Sequence, residues 1–396
     1  MRVVVLGGGI TGLFVAYYLL EGGHTVTLVE ARREGLTTSA YNGGFITPSF
    51  SPAPPIGIAK VASTVFGASG PLYISLLEVA KNAGWFARAA REGVTAHETE
   101  VLELGARSLQ LYREFFEKEN LQPERQKGII GLYKQEGDAR RLALKFGGRF
   151  VGAGQLTEMG YVGFGGAVMA EDEISIDPAS FCESLLARLR SMGVDLRLGE
   201  KGTLARTGSR AEATLSGGER LEADSIVVAS GAMSKGVLAP LGYDPRVLPA
   251  RGFTRLYDGG GRKIVPMPSL LEDYGIALVQ HESGTVRLTS FFEMTGFKED
   301  FAEDRISWLE TTARTHLPAM AGLRLIQEGT GFRPCTSDQM PVIGRVPQYD
   351  NLFVATGNCR LGVTLAPVTA YIIRSMMDGV DPVGVAWRLF DPARFA

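Results

Sequence analysis

The chain has 396 residues, and at roughly one domain per 150 residues that length predicts two or three domains with ample apolar material for a core. Hydrophobic residues make up 45% and charged residues 21%, ordinary globular values that exclude a disordered or fibrous chain. With 41 Lys plus Arg against 43 Asp plus Glu and a net charge of -2, nothing favours nucleic-acid binding, and the expected partner is a small molecule.

The chain opens Met1-Arg2 and goes straight into Val3-Val4-Val5-Leu6, too short for a secretory leader and lacking a small-residue cleavage site. Residues 2–6 read as a buried strand, Gly7-Gly8-Gly9-Ile10-Thr11-Gly12 as a tight turn, and Leu13 to Glu21 as a helix with Val15, Ala16 and Leu19 inward. After Gly22-Gly23, Thr25 to Glu30 is a second apolar strand ending in an acid. In this βαβ unit Gly7 makes the sharp turn, Gly9 admits a pyrophosphate to the backbone, and Gly12 lets helix and strand pack closely. The helix N-terminus, following Ile10 and Thr11 of the turn, faces the phosphate charge. Glu30, 23 residues after Gly7 and followed by Ala31 and Arg32, can accept hydrogen bonds from both ribose hydroxyls. A carboxylate there argues against a 2′-phosphate, which leaves FAD and NAD. No second G-x-G-x-x-G on a strand-turn-helix follows.

Residues 37–50 form a small polar, glycine-bearing loop suited to backbone contact with a cofactor. The longest uncharged run, Val61 to Leu77, is shorter than a bilayer span and is broken by Gly67, Gly70 and Pro71, so no transmembrane helix is expected. The wider segment 54–91 is apolar and aromatic with Lys81, Arg88 and Arg91 close by; it suits a helical hairpin packed on the core, or a peripheral contact with a membrane surface. Residues 98–120 read as an amphipathic helix on Leu102, Leu109, Tyr112 and Phe116. Asp177-Pro178 opens another, with Phe181, Leu185 and Leu189 as its buried stripe. Val194 to Leu198 reads as a strand, and Ser225 to Gly231 as a buried strand running into a glycine turn, the later part of a doubly wound domain. From about Leu238 to Leu325 the style changes to short alternating strands, such as Ile276 to Gln280 and Thr285 to Phe291, with one helix near Ala302 to Thr315. Cys182, Cys335 and Cys359 lie far apart without C-x-x-C spacing, so neither a disulfide framework nor a zinc site is expected and a reducing compartment is the natural reading. His24, His97, His281 and His316 form no sequence cluster, and no metal site is expected.

The chain resembles, over nearly its whole length, the FAD-dependent D-amino-acid oxidase superfamily, and within it the D-amino-acid dehydrogenase and glycine oxidase branches. Thr38-Ser39-Ala40-Tyr41-Asn42-Gly43-Gly44-Phe45 is similar to the second flavin loop, and Ile226 to Gly231, including Ala229, to the V-V-A-x-G segment. Phe332-Arg333-Pro334 through Gly344 resembles R-P-x-T-x-D-x-x-P-x-I-G, the most diagnostic motif of the set. Asn358 to Pro367 resembles the glycine oxidase loop that ends in L-A-P, with Arg360 and Gly362 matching, and the resemblance implies cofactor contact from Gly357, Leu361, Gly362, Val363 and Thr364. The resemblance departs at Asn358, where a histidine is frequent, and at Thr330-Gly331, where a tryptophan often precedes the R-P motif. Both departures bear on substrate identity rather than reaction type.

The resemblance implies an α/β fold: a Rossmann-like FAD-binding domain assembled from residues 1–50, 165–235 and 332–396, and an α+β substrate domain, mainly an antiparallel sheet, from 51–164 and 236–331. It implies non-covalent FAD, with Cys359 a buried thiol because the covalently tethered relatives carry their cysteine elsewhere. It assigns Arg333 to the substrate carboxylate and Tyr274 to the substrate-domain tyrosine; Arg360 is left either facing substrate or flavin, or pairing on the surface. A guanidinium fixes a carboxylate through two parallel hydrogen bonds, as lysine cannot. The backbone N–H groups of Gly362 to Leu365, ahead of the final helix, suit negative charge developing on a flavin. The implied activity is oxidative deamination of D-amino acids, D-proline included, by hydride transfer from the α-carbon to flavin N5, with electrons passed to a quinone or dye. The alternatives are a glycine- or sarcosine-type oxidase releasing peroxide, and a flavin-binding subunit of a larger complex. The implied location is the cytoplasm or the inner face of the cell membrane.

Overall fold

The computed structural model describes residues 1–33, 38–50, 70–92, 97–121 and 125–395. A six-stranded sheet runs in the order Val342–Arg345, Leu352–Thr356, Ser225–Val228, Arg2–Leu6, Thr25–Glu30, Asp195–Leu198. All its pairings are parallel except the outer pair of Val342–Arg345 with Leu352–Thr356. Strands covered on both faces read as unbroken apolar runs rather than alternating ones, and Val3 to Leu6, Ile226 to Val228 and Leu352 to Ala355 are all buried. One face is covered by the helices Ile10–Glu21, Pro178–Ser191 and Ala366–Met377 together with Glu98–Glu119, around a core that includes Phe14, Tyr17, Tyr112, Phe115, Phe116 and Phe181. The other face packs against a meander of Gly202–Thr207, Arg210–Leu215 and Arg220–Leu221, through Leu204, Ala213 and Leu215. Sequence reading did not place this meander; its signal is the alternation of buried Ala211, Ala213 and Leu215 with less buried neighbours.

A ten-stranded sheet follows the order Arg324–Thr336, Val247–Asp258, Thr285–Met294, Ile276–Gln280, Ser269–Leu271, Arg125–Tyr133, Gly166–Ile176, Phe45–Ile46. Leu72–Ile74 adds beside Thr285–Met294 and Arg149–Gly152 beside Gly166–Ile176. Only Ser269–Leu271 with Arg125–Tyr133, and Leu72–Ile74 with Thr285–Met294, pair parallel. The α/β class with a mainly antiparallel second sheet is therefore as expected. Its core gathers Ile130, Leu132, Phe253, Leu271, Leu278 and Leu288 under Leu309 and Ala313 of the helix Glu303–His316. Of segment 54–91, residues 54–69 lie outside the described residues; Leu76–Lys81 and Ala83–Glu92 are helices.

The cysteine expectation is corrected. Cys335 and Cys359 form a disulfide, with Cα atoms 4.4 Å apart across 24 residues of sequence, so Cys359 is not a free thiol. Spacing gave no hint, because the pairing depends on the end of the Arg324–Thr336 strand meeting Asn358 in an isolated bridge. Cys182 is the one free cysteine among the described residues.

The ten-stranded sheet buries His281 and Arg287. Arg287 Nε donates to His281 Nε2 at 3.2 Å, and Nη2 donates to Asp177 Oδ1 at 3.0 Å. Burial, reinforced by the Arg287 cation and opposed by Asp177, holds the His281 imidazole down at about 4. The folded state keeps His281 neutral where the unfolded chain, near 6.5, takes up a proton, so stability falls as pH drops from about 6.5 to about 4 and levels off below. The loss amounts to at most about 3 kcal/mol. Thermal melts of wild type and His281→Gln across that window test this: the variant, unable to protonate, loses less Tm on acidification, and equal losses would exclude His281.

Candidate active site

The nucleotide end is built where the first strand meets the first helix. Gly7 has φ +121° and its N–H donates to Val29 O at 2.8 Å, which turns the chain across the ends of both central strands. The helix Ile10–Glu21 then lies so close that a Cβ on Gly12 would stand 1.8 Å from Gly7 O. Ile10 N–H donates to Ser39 Oγ at 3.0 Å, so the second loop reaches the helix N-terminus. Glu30 Oε2 accepts from Gly8 N at 2.7 Å and Oε1 from Arg32 N at 3.0 Å, while each oxygen keeps acceptor capacity for a ribose hydroxyl. Ala229 N donates to Leu6 O at 2.9 Å, bringing the V-V-A-x-G segment against Gly7. Gly9, Ile10, Gly12, Glu30, Arg32, Ser39 and Ala229 are thus brought together; Thr11 is in the first helical turn, and Ala31 is exposed beside Glu30. Helix N–H groups, a Gly9 whose added Cβ would meet only Ser39 Oγ, at 3.3 Å, and a carboxylate at the second strand's end fit the pyrophosphate and ribose of FAD.

The loop at residues 38–47 connects this end to the last one. Asn42 Oδ1 accepts from Gly44 N at 2.9 Å, holding Gly43 within the turn. Thr364 hydroxyl donates to Phe45 O at 3.1 Å and accepts from Thr47 N at 3.3 Å, so two expected site residues 319 positions apart are joined directly. Tyr112 OH donates to Val363 O at 2.7 Å and Leu361 N to Asn358 O at 2.7 Å, fixing the 357–364 loop. Gly231 and Gly362 each have open space where a Cβ would stand, and Gly357 turns at φ +80°. Asn358 Oδ1 is buried without a hydrogen-bond partner among the described residues, a buried acceptor for which a ligand donor is the natural complement. Sequence reading missed Glu173, whose buried carboxylate takes the Thr47 hydroxyl and, at 2.7 Å, Ser49 N. Burial raises its pKa, against those hydrogen bonds.

The charged end is made by the two sheets' meeting edges. Arg333 stands opposite Ala250, and its guanidinium covers Gly252, where a Cβ would fall 2.4 Å from Nη1. Nη1 donates to Phe291 O at 2.7 Å. Phe291 carries φ +66°, left-handed backbone that costs a non-glycine residue on the order of 1–3 kcal/mol and is tolerated where it serves a site. Burial, with Arg360 adding, lowers Arg333 to about 10, so it stays charged at neutral pH. Arg360 is solvent-exposed, while desolvation lowers its pKa and Glu272 opposes that shift. Burial raises the Glu272 carboxyl, opposed by Arg360 and reinforced by Asp273. Arg360 thus acts electrostatically on both Arg333 and Glu272, which are half-buried. Tyr274 instead packs its ring 4.5 Å from His316 and 6.4 Å from Phe164, with Lys134 Nζ 4.2 Å above it. From that turn it is Glu272, two residues earlier and unmarked by any motif, that is coupled to Arg360. The disulfide ties Cys335, two residues from Arg333, to Cys359, next to Arg360.

The glycine turn yields a direct test. Gly12→Ala drives a methyl into Gly7 O, so the purified protein is expected to lose its yellow flavin while its far-UV spectrum persists; a full complement of FAD would refute the assignment of this turn.

The FAD dependent oxidoreductase (DAO) family profile matches residues 2–376. A D-amino acid dehydrogenase of Methylobacterium nodulans is 27% identical over 410 residues, covering 96% of each chain. In structure the chain is similar to iminodiacetate oxidase from Chelativorans sp. BNC1, with TM-score 0.78, 20% identity and 99% of each chain covered. It is also similar to glycine oxidase from Geobacillus kaustophilus, with TM-score 0.77, 19% identity, 100% of this chain and 99% of that one. A glycine turn closed on Glu30, a second loop joined to the last, and a family match spanning both make this chain a member of the DAO family of FAD-dependent oxidoreductases.

Proposed function

We propose that the protein oxidises D-amino acids to imino acids, which water hydrolyses to a 2-oxo acid and ammonia when the amine is primary, and that the electrons pass to a quinone or dye. One observation carries the reading: Arg360 is opposed by Glu272, which leaves the half-buried Arg333 charge, turned toward Phe291 O, for a substrate carboxylate. The name of the 27% identical relative supports the same substrate class. When bound, FAD supplies the oxidant, its N5 accepting the hydride that leaves the α-carbon. The chain's work is orientation: Arg333 grips the carboxylate through its planar fork, and the desolvated cleft favours a neutral amine over an ammonium. Residues 1–50, 165–235 and 332–396 make the FAD-binding part in this proposal, and 51–164 and 236–331 the substrate part.

Anaerobic mixing with D- and L-amino acids, glycine and sarcosine tests the proposal. Bleaching of the flavin by D-amino acids, with slow recovery in air, is the expected result. Fast recovery with peroxide would make the enzyme an oxidase, and no bleaching by any amine would overturn the function and favour a flavin subunit of a complex. Arg333→Ala is expected to cut kcat/KM by roughly 30-fold to several thousand-fold, the equivalent of about 2–5 kcal/mol for an unpaired buried charge, with FAD retained. An unchanged KM would sink the anchor.

For the acceptor, we propose a peripheral membrane contact. Among the described residues no helix is long and apolar enough to cross a membrane. Exposed Leu77, Met233 and Phe297 line one surface cleft of about 590 Å³ with Lys81, Lys235 and Lys298, the combination of apolar insertion and positive rim that anionic lipid favours. Sedimentation with anionic but not zwitterionic vesicles, abolished in Leu77→Ser/Phe297→Ser, is the expected outcome; no sedimentation with either would reject the contact.

A further inference from the structure

Three consecutive carbonyls of the second loop are held by side chains of the ten-stranded sheet. Arg287 Nη1 donates to Ala40 O at 2.9 Å and to Asn42 O at 3.3 Å. Thr254 hydroxyl donates to the carbonyl between them, Tyr41 O, at 2.6 Å, and lies 3.2 Å from Thr289 Oγ1. Thr254 faces Thr289 in the ladder between Val247–Asp258 and Thr285–Met294, and Arg287 is two residues before Thr289 on the same face. The remaining N–H groups of Arg287 go to His281 and Asp177. One guanidinium thereby anchors the loop, the N-cap of the Pro178–Ser191 helix and the sheet in three directions at once.

A trans peptide is planar, with C=O and N–H pointing oppositely. Fixing the Ala40 and Asn42 carbonyls toward the sheet therefore turns the N–H groups of Tyr41 and Gly43 away from it. It also sets the turn from which Ser39 reaches the first helix and Asn42 reaches Gly44. A lysine keeps the charge but has no planar fork to hold two carbonyls, a histidine and a carboxylate together.

We infer that Arg287 is the positioning residue of the flavin loop and that its grip on the Ala40 and Asn42 carbonyls sets the affinity for FAD. The inference rests on residues 38–45 bordering the flavin. The stated alternative, a purely structural ion pair, makes Asp177 the partner that matters.

The holoenzyme is diluted to equilibrium and released flavin read by its fluorescence, with melting at saturating FAD followed in parallel. Arg287→Lys is expected to raise the FAD Kd at least about tenfold, and Thr254→Val, which removes one carbonyl contact without touching a charge, by a few-fold. Asp177→Asn, which keeps the helix cap and both Arg287 carbonyl contacts, lowers Tm while leaving Kd within about twofold of wild type. Wild-type Kd in both Arg287→Lys and Thr254→Val overturns the inference, and if Arg287→Lys fails to fold, Thr254→Val alone decides. Asn42→Ala separates the two premises: if it weakens FAD while Arg287→Lys and Thr254→Val do not, the clamp falls and the loop's place beside the flavin stands. If none of the three changes Kd, both fall.

Discussion

Keeping a guanidinium charged out of water is the constraint around which this site is organised. A buried cation is costly unless hydrogen-bonded and balanced, and Arg333 is buried enough for its pKa to fall to about 10. The chain answers with a missing Cβ at Gly252, a carbonyl from Phe291 turned out by left-handed backbone, and a carboxylate at Glu272 that offsets the neighbouring Arg360. Each is a local departure from ideal sheet chemistry. What they leave is a half-buried, pre-oriented positive charge whose partial desolvation strengthens its pull on an anion.

The same logic explains why the site lies where the two sheets meet. The six-stranded sheet offers helix N-termini and strand ends but no inward-facing cation; the ten-stranded sheet offers Arg333 and Arg287 but no dinucleotide turn. Residues 38–47 leave the first sheet, pass the helix N-terminus through Ser39, pair as Phe45–Ile46 at the edge of the second, and bond back to Thr364. Rigid neighbours on both sides give this loop the precision that a free loop lacks. The Cys335–Cys359 link serves the same end, since it fixes a strand carrying one arginine to a turn carrying the other.

The parts legible in the sequence were those whose physics is local. The glycine turn, the acid closing the second strand and the Asp177-Pro178 helix start depend on backbone shape within a few residues, and each forms, though the first helix begins at Ile10 rather than Leu13. The R-P motif was recognised as a pattern, but nothing within it specifies that Arg333 would lie over Gly252, 81 residues earlier. Glu173, Glu272 and Arg287 were invisible for the same reason: a single charged residue on a strand or in a turn has no periodicity, and its partners are set by how distant elements meet. The disulfide is the clearest case, because 24 residues separate cysteines that meet only after an unrelated strand and loop are laid side by side.

Charge counting separates what the site fixes from what it leaves open. Arg333 and Arg360 bring two positive charges and Glu272 one negative, so in the proposed reading a single substrate carboxylate completes the set. The hydride geometry constrains only the α-carbon and its amine. Nothing in that balance specifies a side chain; beyond it lies the ring cluster of Tyr274, Phe164 and His316, with Lys134 over the Tyr274 ring. Under the proposed anchor, a fold that fixes a carboxylate electrostatically and the remainder by packing can change its preferred amine through apolar substitutions alone, without disturbing the charges.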